Sequence, residues 1–118
     1  MVQSAPFPDL GLIDMSLTSS QIRALRAESH RLKLKPVVII GQHGVSENVL
    51  NELEQALTHH ELIKVRIPAL EKPERSVLID GLCEQLNADL VQRIGHVIVL
   101  FRSNPKKARF DKLINAKS

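Results

Sequence analysis

Two glycines lie three residues apart, at Gly41 and Gly44, where a short aliphatic run gives way to a helix-like pattern. Glycine adopts backbone conformations that other residues avoid and lets another backbone approach closely. The first amides of a helix are also available to bind anions. The segment Gly41-Gln42-His43-Gly44 therefore suits a phosphate group, although a tight strand-to-helix turn without any ligand has the same spacing.

The better-known nucleotide motifs are absent. The chain has neither the Gly-x-x-x-x-Gly-Lys-Ser/Thr pattern of mononucleotide sites nor the Gly-x-Gly-x-x-Gly pattern of dinucleotide sites. We therefore expect no cofactor and no small-molecule substrate. The backbone of a polymeric nucleic acid, bound by the glycine turn and by scattered cations, fits the pattern better.

Several basic residues could supply those cations. Lys33 and Lys35, just before the aliphatic run, are the first candidates for phosphate contacts, and Arg31 is the next. An exposed cation can equally be a solvated surface charge, so each of them stays open. The remaining candidates lie on later strands and are Lys64, Arg66, Arg93 and Arg102.

Charge is unevenly distributed along the chain, whose net charge is +3. Residues 46–90 hold four basic and nine acidic residues, whereas residues 91–118 hold seven basic residues and only Asp111 as an acid. Polyanion binding is one interpretation, and a solvated surface with a basic tail is the other. The tail cations Lys106, Lys107 and Arg109 could add nonspecific attraction to a nucleic acid.

Other classes of chemistry are disfavoured. Adjacent helical residues point about 100° apart, so His59 and His60 make a poor pair of metal ligands, and we expect no metal site. A single cysteine, Cys83, allows no internal disulfide, which fits a reducing cytoplasm. Nothing combines a nucleophile with a base, so we expect no enzyme. No apolar run approaches the roughly 20 residues that span a bilayer, and the first residues do not form a secretory signal.

Aromatic residues are scarce: the chain has three Phe and no Tyr or Trp. Stacking platforms for nucleic-acid bases need aromatic faces. We therefore expect recognition to depend on phosphates and on the shape of the nucleic acid. Phe101 continues an aliphatic strand and is expected in the core.

The elements that position these residues can be predicted from periodicity. Thr18 and Gln21 have the spacing of a capping box, which predicts a helix over 19–31. Residues 37–40 (VVII) suit a strand buried on both faces. Ser46 can cap a second helix, whose apolar stripe is Val49, Leu50, Leu53, Ala56 and Leu57.

The second half of the chain adds a third helix and three strands. Residues 61–67 (ELIKVRI) alternate as a half-exposed strand does, with Lys64 and Arg66 on one face. Pro73 opens a helix, and residues 89–94 and 97–102 form a hairpin around Gly95 and His96. The order is α-β-α-β-α-β-β, which predicts a single α/β (α+β) domain with about three helices and a four-stranded mixed sheet.

Several spaced blocks together resemble the CRM domain family, the YhbY-like RNA-binding proteins. They begin with Leu34-Lys35-Pro36 and Gly41-x-x-Gly44 and continue with HELIKV at residues 60–65 and Gly95-x-x-x-Val99-Leu100-Phe101-Arg102. The resemblance covers about residues 17–103. It implies a fold similar to the C-terminal domain of translation initiation factor three.

The resemblance also implies a function and a division of the chain. It implies a cytoplasmic RNA-binding protein that contacts ribosomal RNA in precursors of the large ribosomal subunit, through the Gly-x-x-Gly loop and nearby basic residues. Residues 1–16 would be a flexible arm, 17–103 the RNA-binding domain and 104–118 a basic tail. The alternative is a protein-interaction module that docks a partner through acidic helices carrying Glu52, Glu54 and Glu84.

Overall fold

The computed structural model describes residues 17–104, 106 and 110. The predicted arm, residues 1–16, and most of the predicted tail lie outside these residues. The predicted element order and the mixed four-stranded sheet are confirmed. The elements are α1 (Ser19–Arg31), β1 (Pro36–Ile39), α2 (Glu47–His60), β2 (Leu62–Arg66), α3 (Lys72–Leu86), β3 (Asp89–Ile94) and β4 (Val97–Phe101).

Helix α1 begins and ends with hydrogen bonds that its sequence supplies. The Gln21 N–H donates to the Thr18 hydroxyl at 3.1 Å and the Thr18 N–H to Gln21 Oε1 at 2.8 Å, so the predicted capping box is confirmed. At the other end the Lys33 N–H donates to the His30 carbonyl and the Leu34 N–H to that of Ser29. This is a Schellman motif with Lys33, at φ 53°, in the position that glycine favours.

The sheet has the strand order β1-β2-β4-β3. The α2 crossover makes β1 and β2 parallel, whereas β4 runs antiparallel to both β2 and β3. In β2, Leu62 pairs with Phe101 at one end and Arg66 pairs with Val97 at the other. The carboxyl ends of β1 and β2 and the β3–β4 hairpin turn therefore lie at the same end of the sheet.

The larger core lies between the sheet and helices α2 and α3. Leu53 and Leu57 of the predicted α2 stripe are fully buried there, against Ile63 and Val65 of β2. From α3, the residues Ile79, Leu82 and Leu86 complete this layer. Pro73 lies in the first turn of α3, as predicted.

The other face of the sheet is covered by α1 over its centre. Leu25 of α1 packs against Leu62, Val99 and Phe101. Phe101 is 3% exposed, so its predicted place in the core is confirmed. Phe110 adds an edge-on contact to Phe101, with ring centroids 6.0 Å apart, so this part of the predicted tail packs on the domain.

The prediction that residues 37–40 are buried on both faces is wrong. Val38 and Ile40 are buried, but Val37 is 50% and Ile39 67% exposed. Strand β1 is at the edge of the sheet, and α1 packs against β2 and β3 instead of β1. One face of β1 is therefore left open to solvent, beside the cations of β2.

Candidate nucleic-acid interface

The segment Gly41–Gly44 forms a β-turn directly after β1. The Gly44 N–H donates to the Gly41 carbonyl at 3.0 Å, which closes the turn over Gln42 and His43. Gly44 has a φ of 88°, which only glycine adopts without strain, whereas Gly41 does not have a positive φ. Gly41, Gln42 and His43 are exposed, and a side chain built at Gly41 would meet open space. The turn is therefore accessible to a large ligand.

Helix α2 starts two residues after the turn. The Ser46 hydroxyl accepts a hydrogen bond from the Val49 N–H at 3.2 Å, so the predicted N-cap is confirmed. Glu47 lies in the first turn, where a carboxylate is stabilised by the positive end of the helix dipole. The same carboxylate opposes a second anion, so the amides of the helix start are a weaker site than the turn.

Strand β2 places one cation, Arg66, next to the turn and a second, Lys64, beside the start of β1. Arg66 pairs with Ile39, and the Ile40 N–H donates to the Arg66 carbonyl at 2.8 Å. Lys64 lies two residues earlier on the same face, which is the face that β1 leaves open. Neither side chain forms an ion pair within the part of the chain that the structure describes. Their positive charge is therefore not neutralised by a neighbouring carboxylate.

A cleft of about 260 Å³ lies between the turn and the β3–β4 hairpin. Its wall on the hairpin side is His96, whose carbonyl accepts a hydrogen bond from the Ile67 N–H at 2.8 Å. None of the described residues that line the cleft is acidic. They are Ile39, Ile40, Gly41, Gln42, Arg66, Ile67, Pro68, Ala69 and His96.

Lys33 and Lys35 lie at the opposite end of β1 from the turn. Lys35 and Gly41 are six positions apart in the chain, which is about 20 Å along an extended strand. Both lysines are exposed and form no ion pair with a described residue. The structure thus places the two lysines and the turn along one open edge of the sheet, not in a single cluster.

Arg31 and Arg93 have partners within the protein. Arg31 forms an ion pair with Glu28, one turn earlier in α1. The hydrogen bonds and opposite charges of this pair lower the pKa of the Glu28 carboxyl and raise the pKa of the Arg31 guanidinium from their usual values. Arg93 donates to the Gly95 carbonyl at 3.0 Å. It pairs with Ile98, which is buried on the α2–α3 side, so Arg93 points away from the face that carries Arg66.

Arg102 lies at the far end of the sheet from the turn. It follows Phe101, which pairs with Leu62, the first residue of β2. The turn lies beside Arg66, the last residue of β2, so the two ends are about 13 Å apart along this strand. The Arg102 guanidinium donates to Glu54 Oε1 at 3.0 Å, the Leu86 carbonyl at 2.9 Å and the Thr58 hydroxyl at 3.0 Å. These bonds join the end of β4 to the ends of α2 and α3.

The remaining histidines and the cysteine do not converge on one point. His59 Nδ1 lies 2.8 Å from the Gln55 carbonyl oxygen, and its ring centroid is 6.5 Å from that of His60. Burial raises the pKa of the Cys83 thiol to about 11, so this thiol is an unreactive packing residue. Within the described residues there is no group of three or more potential ligands that could hold a metal ion.

Two residues of this surface were not predicted from the sequence. His96 was one of several scattered histidines, and Ile39 was assigned to a buried strand. Their juxtaposition with Arg66 depends on the strand order, which periodicity does not determine. The position of His96 in a two-residue hairpin loop was the one available signal, since such a loop exposes its side chains.

Comparison with known proteins places this arrangement in a family. A family model described as the CRS1 / YhbY (CRM) domain matches residues 17–102. The chain belongs to this family. The resemblance inferred from the Gly-x-x-Gly turn and the flanking blocks is therefore confirmed.

Individual relatives and one solved structure agree with this assignment. A probable RNA-binding protein of Pseudomonas aeruginosa is 46% identical over 92 residues, which cover 78% of this chain and 86% of that protein. An RNA-binding protein of Haemophilus influenzae is 39% identical over 87 residues, 74% of this chain and 86% of its own. The solution structure of a Staphylococcus aureus protein proposed to bind RNA has a TM-score of 0.65 and 34% identity, and the match covers 75% of this chain and 91% of that one.

The names of the relatives describe the kind of activity found in this family. The relatives are named for RNA binding and not for catalysis. None of the helices in the described part of the chain has the length and apolar character needed to cross a bilayer.

Proposed function

We propose that this protein is a cytoplasmic RNA-binding protein that binds ribosomal RNA in precursors of the large ribosomal subunit and assists their assembly. The observation that carries the RNA-binding part is the accessible Gly41–Gly44 turn beside Arg66, on a sheet edge that also carries Lys33, Lys35 and Lys64. The names of the family relatives support an RNA partner. The ribosomal target follows from the resemblance to YhbY-like proteins.

The turn contacts the RNA backbone directly in this proposal. An exposed Gly41 without a side chain lets a sugar-phosphate chain approach the main chain, and His43 adds a donor at the tip of the turn. A turn covered by other elements or surrounded by carboxylates would have opposed the proposal. The exposure of Gly41, Gln42 and His43 and the absence of acids from the described lining of the cleft support it.

The cations act along the edge, not at one point. Lys35 and the turn are about 20 Å apart, so the bound RNA runs along β1 for several nucleotides. Arg31, Arg93 and Arg102 contribute to the positive field, but their side chains are already engaged within the protein. Phosphate contacts therefore come first from Lys33, Lys35, Lys64 and Arg66.

This arrangement predicts a specific salt dependence. Each phosphate neutralised in single-stranded nucleic acid contributes about −0.7 to the slope of log K against log salt. Four cations give a slope of about −3, measured by filter binding of a large-subunit RNA transcript. A slope close to zero would contradict binding through phosphates.

A matched pair of double variants locates the site. Lys64→Gln with Arg66→Gln should lower RNA affinity and reduce the slope to about −1.5, because two of the four contacts are lost. Lys72→Gln with Arg75→Gln removes the same charge from α3, on the opposite face of the sheet, and should change affinity much less. Equal losses in both double variants would mean that only net charge matters.

The role in assembly is tested in cell extracts. In a sucrose gradient the protein should sediment with precursors of the large subunit, and the Lys64→Gln/Arg66→Gln variant should shift to the top of the gradient. A protein that binds no RNA yet sediments with a particle through Glu52 and Glu84 of its acidic helices would support the protein-interaction alternative instead.

A further inference from the structure

The cleft between the two turns has a defined position at the carboxyl end of β2. The Gly41 turn follows β1 on one side and the His96 turn precedes β4 on the other. Neighbouring strands are about 4.8 Å apart, so the two walls stand about 10 Å apart. The cleft has a volume of about 260 Å³, far above the roughly 10–15 Å³ that a single water molecule requires, so it has room for a planar group such as a base.

The polar groups of the cleft are those that bind a base. Arg66 and His96 carry planar groups that can stack on a nucleobase. The Gln42 amide offers both a donor and an acceptor to the edge of a base. Among the described residues, no hydrogen bond or ion pair engages these three side chains. All three are exposed and available to a ligand.

The apolar part of the cleft favours a base over a phosphate. Ile39 is 67% exposed beside Arg66, and the exposed Ala69 adds further apolar surface. A phosphate placed against these groups would lose water without gaining hydrogen bonds. The face of a base, in contrast, gains from contact with an apolar surface and a planar cation.

We propose that this cleft binds one unpaired base of the RNA, stacked on His96 and Arg66 and hydrogen-bonded at its edge by Gln42. The inference rests on the proposed RNA-binding function and adds a ligand class to the same edge of the sheet. The phosphates on either side of this nucleotide lie at the Gly41–Gly44 turn and at Lys64, and the N–H donors at the edge of the stacked Arg66 guanidinium also contact one of them. The shortage of Phe, Tyr and Trp had predicted recognition through phosphates and RNA shape alone. Base recognition is possible in addition, because histidine and arginine provide the planar groups.

The test separates the base from the backbone. The probe is a fluorescein-labelled, mixed-sequence single-stranded RNA of about 12 nucleotides, within the usual site sizes of single-strand binders. A matched probe has the same phosphodiester chain with abasic residues throughout. By fluorescence anisotropy the wild-type protein should bind the abasic probe roughly 5- to 150-fold more weakly, as expected for the loss of one stacked base.

Variants of His96 connect this loss to the cleft. His96→Ala should weaken binding of the normal probe by a similar factor and leave binding of the abasic probe unchanged, whereas His96→Phe should retain affinity for the normal probe. The His96 side chain is exposed and the bond to Ile67 uses its carbonyl, so both variants should fold. Their circular dichroism spectra and melting temperatures check this.

Each outcome is informative. Three results would overturn the base site and leave RNA binding intact. The wild-type protein could bind both probes with equal affinity, or His96→Ala could weaken binding of both probes equally. The protein could also bind a large-subunit RNA transcript but not the normal probe. Failure to bind either probe and the transcript would overturn the proposed function as well.

Discussion

Arg102 provides a quantitative test of how the end of β4 is attached to the helices. Its guanidinium makes four hydrogen bonds, two to Glu54 and one each to Leu86 and Thr58. We expect Arg102→Met, which keeps most of the aliphatic stem but removes the guanidinium, to destabilise the domain. RNA affinity should change little, because this group lies at the far end of the sheet from the turn.

The magnitude follows from the exposure of each partner. The Arg102 side chain is 20% exposed and that of Glu54 53%, so the ion pair itself contributes about 0.5–1 kcal/mol. The bonds to the Leu86 carbonyl and the Thr58 hydroxyl add about 1 kcal/mol each. The sum is about 2.5–3 kcal/mol, which corresponds to a loss of roughly 10–24 °C in melting temperature for a domain of this size.

Arg31→Met is the matched control, since Arg31 also forms an ion pair with a glutamate. Its side chain is 69% exposed and its partner Glu28 is three residues away in the same helix, so the expected loss of stability is much smaller than for Arg102→Met. Urea denaturation followed by circular dichroism measures both variants. If Arg102→Met costs no more than Arg31→Met, the bridging role of Arg102 is refuted.

Three further predictions concern single positions. Lys33→Gly should raise the free energy of unfolding by up to about 1 kcal/mol, because Lys33 has a positive φ. The same variant should weaken RNA binding, since it removes a cation. Lower stability of the variant in urea denaturation would contradict the expected gain. Gly44→Ala should cost about 1–2 kcal/mol at a φ of 88°, whereas Gly41→Ala, which faces open space, should be neutral; similar melting temperatures would be inconsistent with this difference. Burial raises the pKa of Asp89 above its usual 3.8, so its carboxylate opposes folding once ionised. Asp89→Asn should therefore stabilise the protein at pH 7, and this advantage should shrink as the pH falls towards 3.8 and be absent below it. A gain in stability that is independent of pH would exclude this cause.

Local patterns predicted the elements well, because each one carries its own signal. The Thr18–Gln21 capping box, the α2 stripe around Leu53 and Leu57, and the Gly95-His96 hairpin all depend on residues close in sequence. The start of α1 follows directly from its cap. These features are settled by backbone hydrogen bonding and by the period of the apolar residues.

The environment of β1 could not be predicted in the same way. Four aliphatic residues in a row indicate burial on both faces, but whether a helix covers a strand depends on where that helix crosses the sheet. Helix α1 packs over β2 and β3, so Val37 and Ile39 remain exposed. The placement of Arg66, His96 and the turn side by side likewise depends on long-range strand order.

The basic candidates illustrate a second limit. Lys33 and Lys35 are near Gly41 in sequence but separated from it by the whole of β1, whereas Arg66 is distant in sequence and adjacent in the sheet. Arg102 looked equivalent to Arg66 as a strand cation, yet its partners lie on α2 and α3. Sequence gives the charge of such residues, and packing decides which of them remain available to a ligand.

The most direct test of the proposed interface is a titration of the ¹⁵N-labelled protein with a large-subunit RNA fragment, followed by amide chemical shifts. We expect the largest changes on residues 33–46, 64–69 and 95–97, which form the open edge of the sheet and the cleft at its end. Changes concentrated on the outer surfaces of α2 and α3, with the Gly41–Gly44 turn unaffected, would contradict the proposed interface.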